Sequence, residues 1–232
     1  MTNRRFFDLL VSASFFAAFG SRVEAFDLME GDLYSSNFQS SAISQYSSDG
    51  VFIDSIAIDP SYGSEVRGLA FGPDNLLYAA TVAGNGFNVI SIDALGTIQH
   101  TYNGQSYLAG NLSAGKIAFA RNGQFFVAGG GNLVRFDIGT TYGSYIYSNN
   151  QVYGVEGLPS GNLLVLSAYQ LDEITTEGAI VRTITPSPIR FVDARDVEYD
   201  PASDAIYVSM LGYSGEEFQV MRLNGASGQL LQ

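Results

Sequence analysis

Short apolar runs separated by turn residues recur along the chain at intervals of about forty residues. The clearest example is VRGLAFGPDNLLYAAT at 66–81, in which two apolar stretches flank Gly-Pro-Asp-Asn. Segments 115–129, 152–167 and 194–209 repeat this arrangement. Proline fixes φ at the first turn position, and Asn or Gly tolerates the left-handed conformation that follows. Each repeat therefore predicts a β-hairpin.

Further strand-like segments follow each hairpin, so that one repeat holds four strands. NVISID (88–93) alternates polar and apolar residues as a third strand, and TIQHTY (97–102) and AIVRTI (179–184) are fourth strands. An earlier unit at 31–56 lacks an obvious first strand, unless FDLM (26–29) supplies it. Four antiparallel strands every forty or so residues predict the blades of a β-propeller, because stacked neighbours bury the faces of each blade.

We therefore expect an all-β fold, namely a β-propeller of about five four-stranded blades after an N-terminal signal peptide. The last unit ends on its own fourth strand, QLLQ (229–232), so no strand is left to complete the first blade. The ring is then either closed with a weak seam, or it is an open arc or a fragment of a larger propeller. The predicted blades span residues 26–60, 65–103, 114–149, 152–186 and 194–232.

The first 25 residues differ from the rest of the chain. Arg4 and Arg5 precede the apolar run Leu9–Phe19, and Val23 and Ala25 are small residues at −3 and −1 of a cut after Ala25. This pattern predicts a signal peptide and export to the periplasm or the outside of a bacterial cell, with an amphipathic first helix as the alternative. The paired arginines also resemble a twin-arginine signal, so the Sec and Tat routes both stay open.

The charge balance narrows the possible partners. The 232 residues carry a net charge of −12, which repels phosphate backbones, so we expect no nucleic-acid partner. No apolar run reaches 18 residues, so we expect no transmembrane anchor. There is no cysteine and one histidine, His100, which lies in a predicted outermost strand. These counts exclude a cysteine nucleophile and a multi-histidine metal site.

The repeat also resembles the NHL and streptogramin-lyase-like superfamily of six- and seven-bladed β-propellers, which is related to the gluconolactonase-like proteins. Gly68–Ala79 reads GLAFGPDNLLYA and resembles the superfamily's blade phrase, as does DLYSSNF at 32–38. The resemblance covers nearly all of residues 31–232 and implies the fold, whereas it says little about chemistry. Streptogramin lyases are understood to use a histidine near the central funnel, a position that His100 does not match.

The first strand of each blade lines the central channel of a propeller, and its side chains alternate in direction. We expect Leu69, Ile117, Val155 and Val197 to pack between blades, and their neighbours to face the channel. One predicted ring holds Gly68, Lys116, Gly154 and Asp196, and the next holds Ala70, Ala118, Glu156 and Glu198.

Three carboxylates in these rings, from Glu156, Asp196 and Glu198, suggest a metal site. Like charges in a confined channel repel unless a cation joins them, and carboxylate oxygens suit Ca²⁺. By blade position the set resembles the axial metal site of the gluconolactonase/regucalcin-type propellers, which implies calcium as a possible cofactor. The alternative is that the carboxylates are solvated channel walls, paired with a basic residue. The candidates for that pairing are Arg67, Lys116 and Arg195.

Basic and aromatic residues near the channel are the candidates for ligand contact. They are Arg67, Lys116, Tyr153 and Arg195. A group of tyrosines is a second candidate surface, because exposed Tyr binds adaptably, although Tyr also fills half-buried strand faces. The group comprises Tyr102, Tyr107, Tyr142, Tyr145, Tyr147 and Tyr153.

Two functions are compatible with these features. The first is an exported, non-catalytic β-propeller that binds a protein, a glycan or a small ligand at one face, or acts as a scaffold. The second is a calcium-dependent, lactonase-like hydrolase that uses the channel carboxylates, with the metal polarising a carbonyl group. A truncated product with no separate activity is a third possibility.

Overall fold

A computed structural model describes residues 28–29, 31–36, 41–84, 86–104, 114–120, 123–149, 151–168, 170–184, 194–210 and 219–231. These residues form eighteen β-strands in five antiparallel sheets, together with one short 3-10 helix. The prediction of an all-β propeller of about five blades is therefore confirmed. The predicted signal peptide lies outside the described residues.

The first two sheets are joined by the 3-10 helix Pro60–Tyr62. In the described ranges, no helix is both long and apolar enough to cross a lipid bilayer. The first sheet consists of β1 (Leu33–Ser36), β2 (Ala42–Tyr46) and β3 (Phe52–Ala57). The second sheet consists of β4 (Val66–Phe71), β5 (Leu77–Ala83), β6 (Gly86–Ile92) and β7 (Ile98–Asn103).

The remaining three sheets follow in chain order. The third consists of β8 (Ala114–Phe119), β9 (Gln124–Gly129), β10 (Asn132–Asp137) and β11 (Ser144–Ser148). The fourth consists of β12 (Val152–Gly157), β13 (Leu163–Ser167), β14 (Leu171–Ile174) and β15 (Ile180–Ile184). The fifth consists of β16 (Ala194–Asp200), β17 (Ala205–Met210) and β18 (Gln219–Asn224). Strands within each sheet pair in sequence order.

Apolar clusters between successive sheets hold the blades together. The inner strands β4, β8, β12 and β16 each contact the next one, and β1 contacts β4. Between the second and third sheets lies an aromatic cluster that includes Tyr78, Tyr102, Phe125 and Phe136. Equivalent clusters join the first sheet to the second, the third to the fourth, and the fourth to the fifth. Each blade is therefore buried against its neighbours, as the repeat requires.

The four repeated turns adopt the backbone conformation that their sequence predicts. The left-handed position is taken by Asn75 (φ 63°), Gly123 (79°), Gly161 (91°) and Asp204 (46°). Glycine reaches this region without steric cost, and Asn and Asp tolerate it better than other residues do. The recurring Gly, Asn and Asp residues are thus explained by one backbone requirement.

The two terminal sheets have three strands each within the described residues. A fourth strand of the first sheet was expected only if FDLM (26–29) supplied it, but Leu28 is not in a strand, and its N–H donates to the carbonyl of Ala94 at 3.1 Å, at a turn of the second sheet. At the other end, where QLLQ (229–232) was predicted as a fourth strand, Leu230 forms an isolated antiparallel bridge with Leu223 after the turn at Asn224–Gly228.

Within the described residues, the strands of the first sheet do not pair with those of the last. No pair of strands from β1–β3 and β16–β18 makes an extensive contact, as far as the described residues extend. Phe52 is 57% exposed on the first sheet, and Val220 is 65% exposed on the last. The described residues form five sheets, whereas the resembling superfamily has six or seven blades.

Candidate functional site

The ammonium group of Lys116 lies among three carboxylates on the axial side of the inner strands. Its Nζ atom is 3.4 Å from Asp196 Oδ2 and 3.7 Å from Glu156 Oε2, and it also contacts Glu198 Oε1. It donates a further hydrogen bond to the carbonyl of Val197 at 3.2 Å. We call these four charged side chains the lysine–carboxylate cluster. One cation therefore connects the inner strands of three successive blades, β8, β12 and β16.

Side-chain alternation along the inner strands produces this cluster. Ile117, Val155 and Val197 are 0–2% exposed in the clusters between blades, as their sequence positions predict. Their neighbours on the same strands consequently point the other way. Alternation alone assigns Lys116 and Asp196 to one ring and Glu156 and Glu198 to the next, and the long lysine side chain joins the two levels.

Not all residues of the predicted rings face an open channel. A Cβ at Gly68 would collide with the carbonyl oxygen of Gly115 on the next inner strand. A Cβ at Gly154 would lie 3.1 Å from the backbone nitrogen of Val197. Adjacent inner strands approach so closely at these two positions that glycine is the residue that fits. The expectation that Gly68 and Gly154 face the channel is therefore corrected.

Burial and mutual charge set the protonation of the cluster. The side chain of Lys116 is 17% exposed, and that of Glu156 is 24% exposed. Burial favours the neutral amine of Lys116, but attraction by Asp196, Glu198 and Glu156 outweighs this effect and raises the pKa of Lys116. Lys116 is therefore charged throughout the neutral range.

The pKa values of the two more buried carboxyl groups, Glu156 and Asp196, are raised, whereas an ion pair ordinarily lowers the pKa of a carboxyl group. Burial raises the pKa of Glu156 to about 7, assisted by Glu198 and Asp196, and Lys116 only partly opposes this. Burial also raises the pKa of Asp196, against the influence of Lys116. One ammonium does not compensate three carboxylates, so the cluster holds excess negative charge when all its groups are ionised.

The carboxylates fit the lysine better than they fit a divalent ion. Lys116 Nζ contacts all three, and it takes the position that a metal bound by Glu156, Asp196 and Glu198 would need. Among the residues that the structure describes, no group of three or more His, Cys, Asp or Glu side chains is arranged to hold a metal ion. A calcium ion at this position would first have to displace the Lys116 ammonium group.

The other predicted ligand contacts are engaged near the cluster or beside it. Arg67 pairs with Glu65 at 2.6 Å, two residues earlier in the chain. The guanidinium carbon of Arg195 lies 5.8 Å from the centre of the Tyr153 ring, a cation–π contact. Tyr153 also donates its hydroxyl hydrogen to Gln151. These contacts do not involve the carboxylates of the cluster.

A cavity of about 270 Å³ opens next to Glu156, at the ends of β8, β12 and β16. Its lining is about equally polar and apolar, and Glu156 and Asn162 are its polar residues with long or amide side chains. The residues that define it are Phe119, Glu156, Leu158, Pro159, Tyr199 and Pro201.

A break in the repeat lies in the lining of this cavity. Two positions after Leu69, Ile117 and Val197, the inner strand carries an aromatic residue: Phe71, Phe119 and Tyr199. The equivalent residue of the fourth blade is Gly157, where a Cβ would lie 2.6 Å from the carbonyl oxygen of Phe119. The close approach of the β8 backbone therefore excludes any side chain at this position, next to Glu156. Sequence reasoning overlooked the cavity, although the substitution of Gly for an aromatic residue was visible in the repeat.

The predicted tyrosine group does not form one surface. Tyr102 is 1% exposed within the aromatic cluster, and Tyr147 is buried and donates to Asp172 Oδ2 at 2.5 Å. Tyr142 and Tyr145 are exposed. Two of the group therefore contribute to packing between blades, and two lie at the surface. Tyr107 lies outside the described residues.

His100 lies on β7, the outermost strand of its sheet, as predicted. Its ring packs against Tyr102 with centroids 4.5 Å apart, and its Nε2 atom is 3.0 Å from the carbonyl oxygen of Thr140. His100 therefore lies away from the inner strands and from the lysine–carboxylate cluster.

Solved structures define the class of this protein as a β-propeller. A protein of unknown function from Bacteroides caccae matches with a TM-score of 0.64 and 14% identity, over 87% of this chain and 76% of that one. A catalytically inactive virginiamycin B lyase from Staphylococcus aureus with quinupristin matches with a TM-score of 0.64 and 14% identity, over 87% and 66%. A gluconolactonase from Xanthomonas campestris matches with a TM-score of 0.58 and 13% identity, over 77% and 65%.

The chain therefore shares the β-propeller fold of these structures. It spans slightly less than two thirds of the lyase and gluconolactonase chains. No protein-family model matches the sequence, and no curated protein sequence matches it. At 13–14% identity the likeness concerns the fold alone, so the chemistry has to be argued from this chain's own residues.

Proposed function

We propose that this protein is an exported, non-catalytic β-propeller that binds a small ligand in the cavity beside Glu156. Of the protein, glycan and small-molecule partners considered from sequence, a small ligand agrees best with the size of the space. The cavity, at about 270 Å³, lies just below the usual range of about 300–1,000 Å³ for ligand pockets. Its lining combines apolar side chains with a few polar groups, as such pockets do.

The observation that carries the proposal is the position of Lys116. In the predicted hydrolase, the three carboxylates would hold a metal ion that polarises a carbonyl group. In this protein they hold the lysine ammonium, which joins three blades and is 17% exposed. This arrangement supports a structural cation beside a binding cavity more than it supports a metal-dependent catalyst.

A lactonase-like hydrolase remains the second candidate because of one further observation. The pKa of Glu156 is raised to about 7, close to the value that suits a general base at neutral pH. Glu156 also lines the cavity, so a bound lactone could lie within its reach. Lys116 is the nearest cation that could stabilise a developing oxyanion, but its contacts to three carboxylates oppose that role.

Two measurements on the full chain separate the candidates. Hydrolysis of a sugar lactone is followed with added Ca²⁺ and with EDTA, and calcium binding is measured by calorimetry. We expect no turnover above the uncatalysed rate and no calorimetric heat at millimolar Ca²⁺. Turnover that is lost in Glu156→Gln would establish the hydrolase and reject the non-catalytic proposal.

Binding is tested by ligand-observed NMR with a library of small fragments. We expect bound fragments that are displaced in Leu158→Trp, because the indole ring fills the cavity that Leu158 lines. Leu95→Trp is the matched control, since Leu95 is 68% exposed at a turn of the second sheet. Circular dichroism verifies that both variants are folded. A library without fragments that respond to Leu158→Trp would refute the cavity as a binding site.

A further inference from the structure

We infer that the cavity beside Glu156 selects a small cationic ligand with an apolar body, such as an arylalkylamine, whose ammonium group lies against the Glu156 carboxylate. This inference rests on the proposed function, because it assigns a chemical class to the ligand of that cavity. Three observations carry it: the charge balance of the cluster, the free capacity of Glu156 to accept hydrogen bonds, and the aromatic walls.

The charge balance of the cluster favours a second cation. Lys116 contributes one positive charge, against three negative charges from Glu156, Asp196 and Glu198 when all are ionised. A ligand ammonium group would reduce this excess, whereas a ligand carboxylate or phosphate would add to it. The chain as a whole carries a net charge of −12, so its long-range electrostatic field also attracts cations.

Glu156 has room to accept another donor. Its Oε2 atom is 3.7 Å from Lys116 Nζ, which is longer than a charge-assisted hydrogen bond of about 2.8 Å. Lys116 makes shorter contacts to Asp196 and Glu198. A carboxylate can accept about four hydrogen bonds. Glu156 therefore remains the least satisfied carboxylate of the cluster within the described residues, and it is the one that lines the cavity.

The walls of the cavity suit the apolar part of such a ligand. Phe119 comes from the end of β8, and Tyr199 comes from near the end of β16, and Leu158, Pro159 and Pro201 also line the cavity. Aromatic faces attract cations as well as apolar groups. The Tyr199 hydroxyl is held by Asp204 Oδ1 at 2.9 Å, which restrains the ring at this wall.

The test compares three probes that differ mainly in charge: phenethylamine, 2-phenylethanol and 3-phenylpropionate. Each is titrated into the full chain at pH 8 and low salt, with NMR detection. We expect phenethylamine to bind about tenfold more tightly than the alcohol, as a charge-assisted hydrogen bond would give, and the acid to bind most weakly. Glu156→Gln should reduce the amine's affinity to that of the alcohol. The exposed Glu177 provides the matched control, Glu177→Gln, which should change neither.

A second measurement does not depend on the stability of any variant. The affinity for the amine should fall as the pH drops below 7, because Glu156 becomes protonated there, while the affinity for the alcohol stays constant. The charged groups that face Glu156 are Lys116 of β8 and Asp196 and Glu198 of β16, and Lys116 does not titrate in this range. An amine affinity without this pH dependence would overturn the assignment.

The outcomes distinguish this inference from the proposed function. Equal binding of the amine and the alcohol, or tighter binding of the acid, rejects the cationic ligand class but keeps a binding cavity. An amine affinity that is unchanged in Glu156→Gln rejects the role of that carboxylate. If none of the three probes binds, the cationic class with an aryl body is rejected, and the fragment library with Leu158→Trp decides the proposed function separately.

Discussion

Lys116 Nζ and Asp196 Oδ2 lie 3.4 Å apart, although eighty positions of sequence and an entire blade separate the two residues. No local preference of the chain places them together. Their contact depends on the stacking of the third, fourth and fifth blades around one axis. The stability of the lysine–carboxylate cluster is thus a measure of how firmly these blades are joined.

Replacing Lys116 by methionine should destabilise the protein at neutral and alkaline pH. The variant keeps most of the side-chain volume but leaves three carboxylates facing one another. Removing one partner of a fully buried pair costs about 3–5 kcal/mol. Because Asp196 and Glu198 are 43% and 54% exposed, we expect a smaller loss of unfolding free energy, about 1–2 kcal/mol.

Urea denaturation of wild type and Lys116→Met at pH 8 and pH 5 measures this effect. The loss should shrink at pH 5, since partial protonation of the carboxylates relieves their repulsion. Equal stability of the two proteins at pH 8 would mean that the cluster does not contribute to the joining of the blades.

Glu156 should make the folded state less stable as the pH rises through the weakly acidic range. Its pKa is about 7 when folded, against an ordinary value of 4.5, so between these values the folded state binds one more proton than the unfolded state. The unfolding free energy then falls with increasing pH. The stabilisation of the folded state by protonated Glu156 is fully present below about pH 4.5 and is lost above about pH 7.

The neutral variant Glu156→Gln should therefore gain stability relative to wild type between pH 4.5 and pH 8, by about 1–3 kcal/mol. Urea melts of both proteins at several pH values provide the difference. Glu177→Gln, at an exposed turn, serves as the control and should show no such trend. A Glu156→Gln difference that is independent of pH would contradict the raised pKa.

The fold could be predicted from sequence because its determinants are local and repeated. The turn residues Asn75, Gly123, Gly161 and Asp204 each mark a left-handed position, and the spacing between them defines a blade. Alternation along each inner strand also indicated which side chains pack between blades, as the burial of Ile117, Val155 and Val197 demonstrates. These signals depend on neighbours within a few residues.

The site was only partly predictable because it depends on distances across blades. The alternation of side chains along the inner strands placed Glu156, Asp196 and Glu198 near the axis. It does not indicate how far the Lys116 side chain extends across two blades to reach them. The length of a lysine side chain overrides the separation of the predicted rings. The cavity lies where the ends of three inner strands and their turns meet, so it also depends on contacts across blades.

The left-handed turn at Asn75 gives a local test of the repeat. Its φ of 63° is unfavourable for residues with a Cβ atom and without a short polar side chain, at a cost of about 1–2 kcal/mol. We expect Asn75→Ala to lower the unfolding free energy by about 1 kcal/mol, and Asn75→Gly to maintain or slightly raise it. Thermal unfolding of both variants distinguishes this backbone effect from a role of the amide side chain. Loss of an amide contact would lower the stability of Asn75→Ala and Asn75→Gly equally.

The aromatic cluster between the second and third blades should carry a large share of the stability. Phe125 is fully buried, and its ring centroid lies 4.8 Å from that of Tyr102 and 5.0 Å from that of Phe136. Phe125→Ala would leave a cavity that two stacked sheets cannot collapse to fill, so we expect a loss of about 3–5 kcal/mol. Phe52→Ala, at a side chain that is 57% exposed on the first sheet, should change the unfolding free energy by less than about 0.5 kcal/mol. Chemical denaturation of the two variants compares a side chain buried between blades with an exposed one. Similar losses would mean that the Phe125 ring is not part of a tightly packed interface between blades.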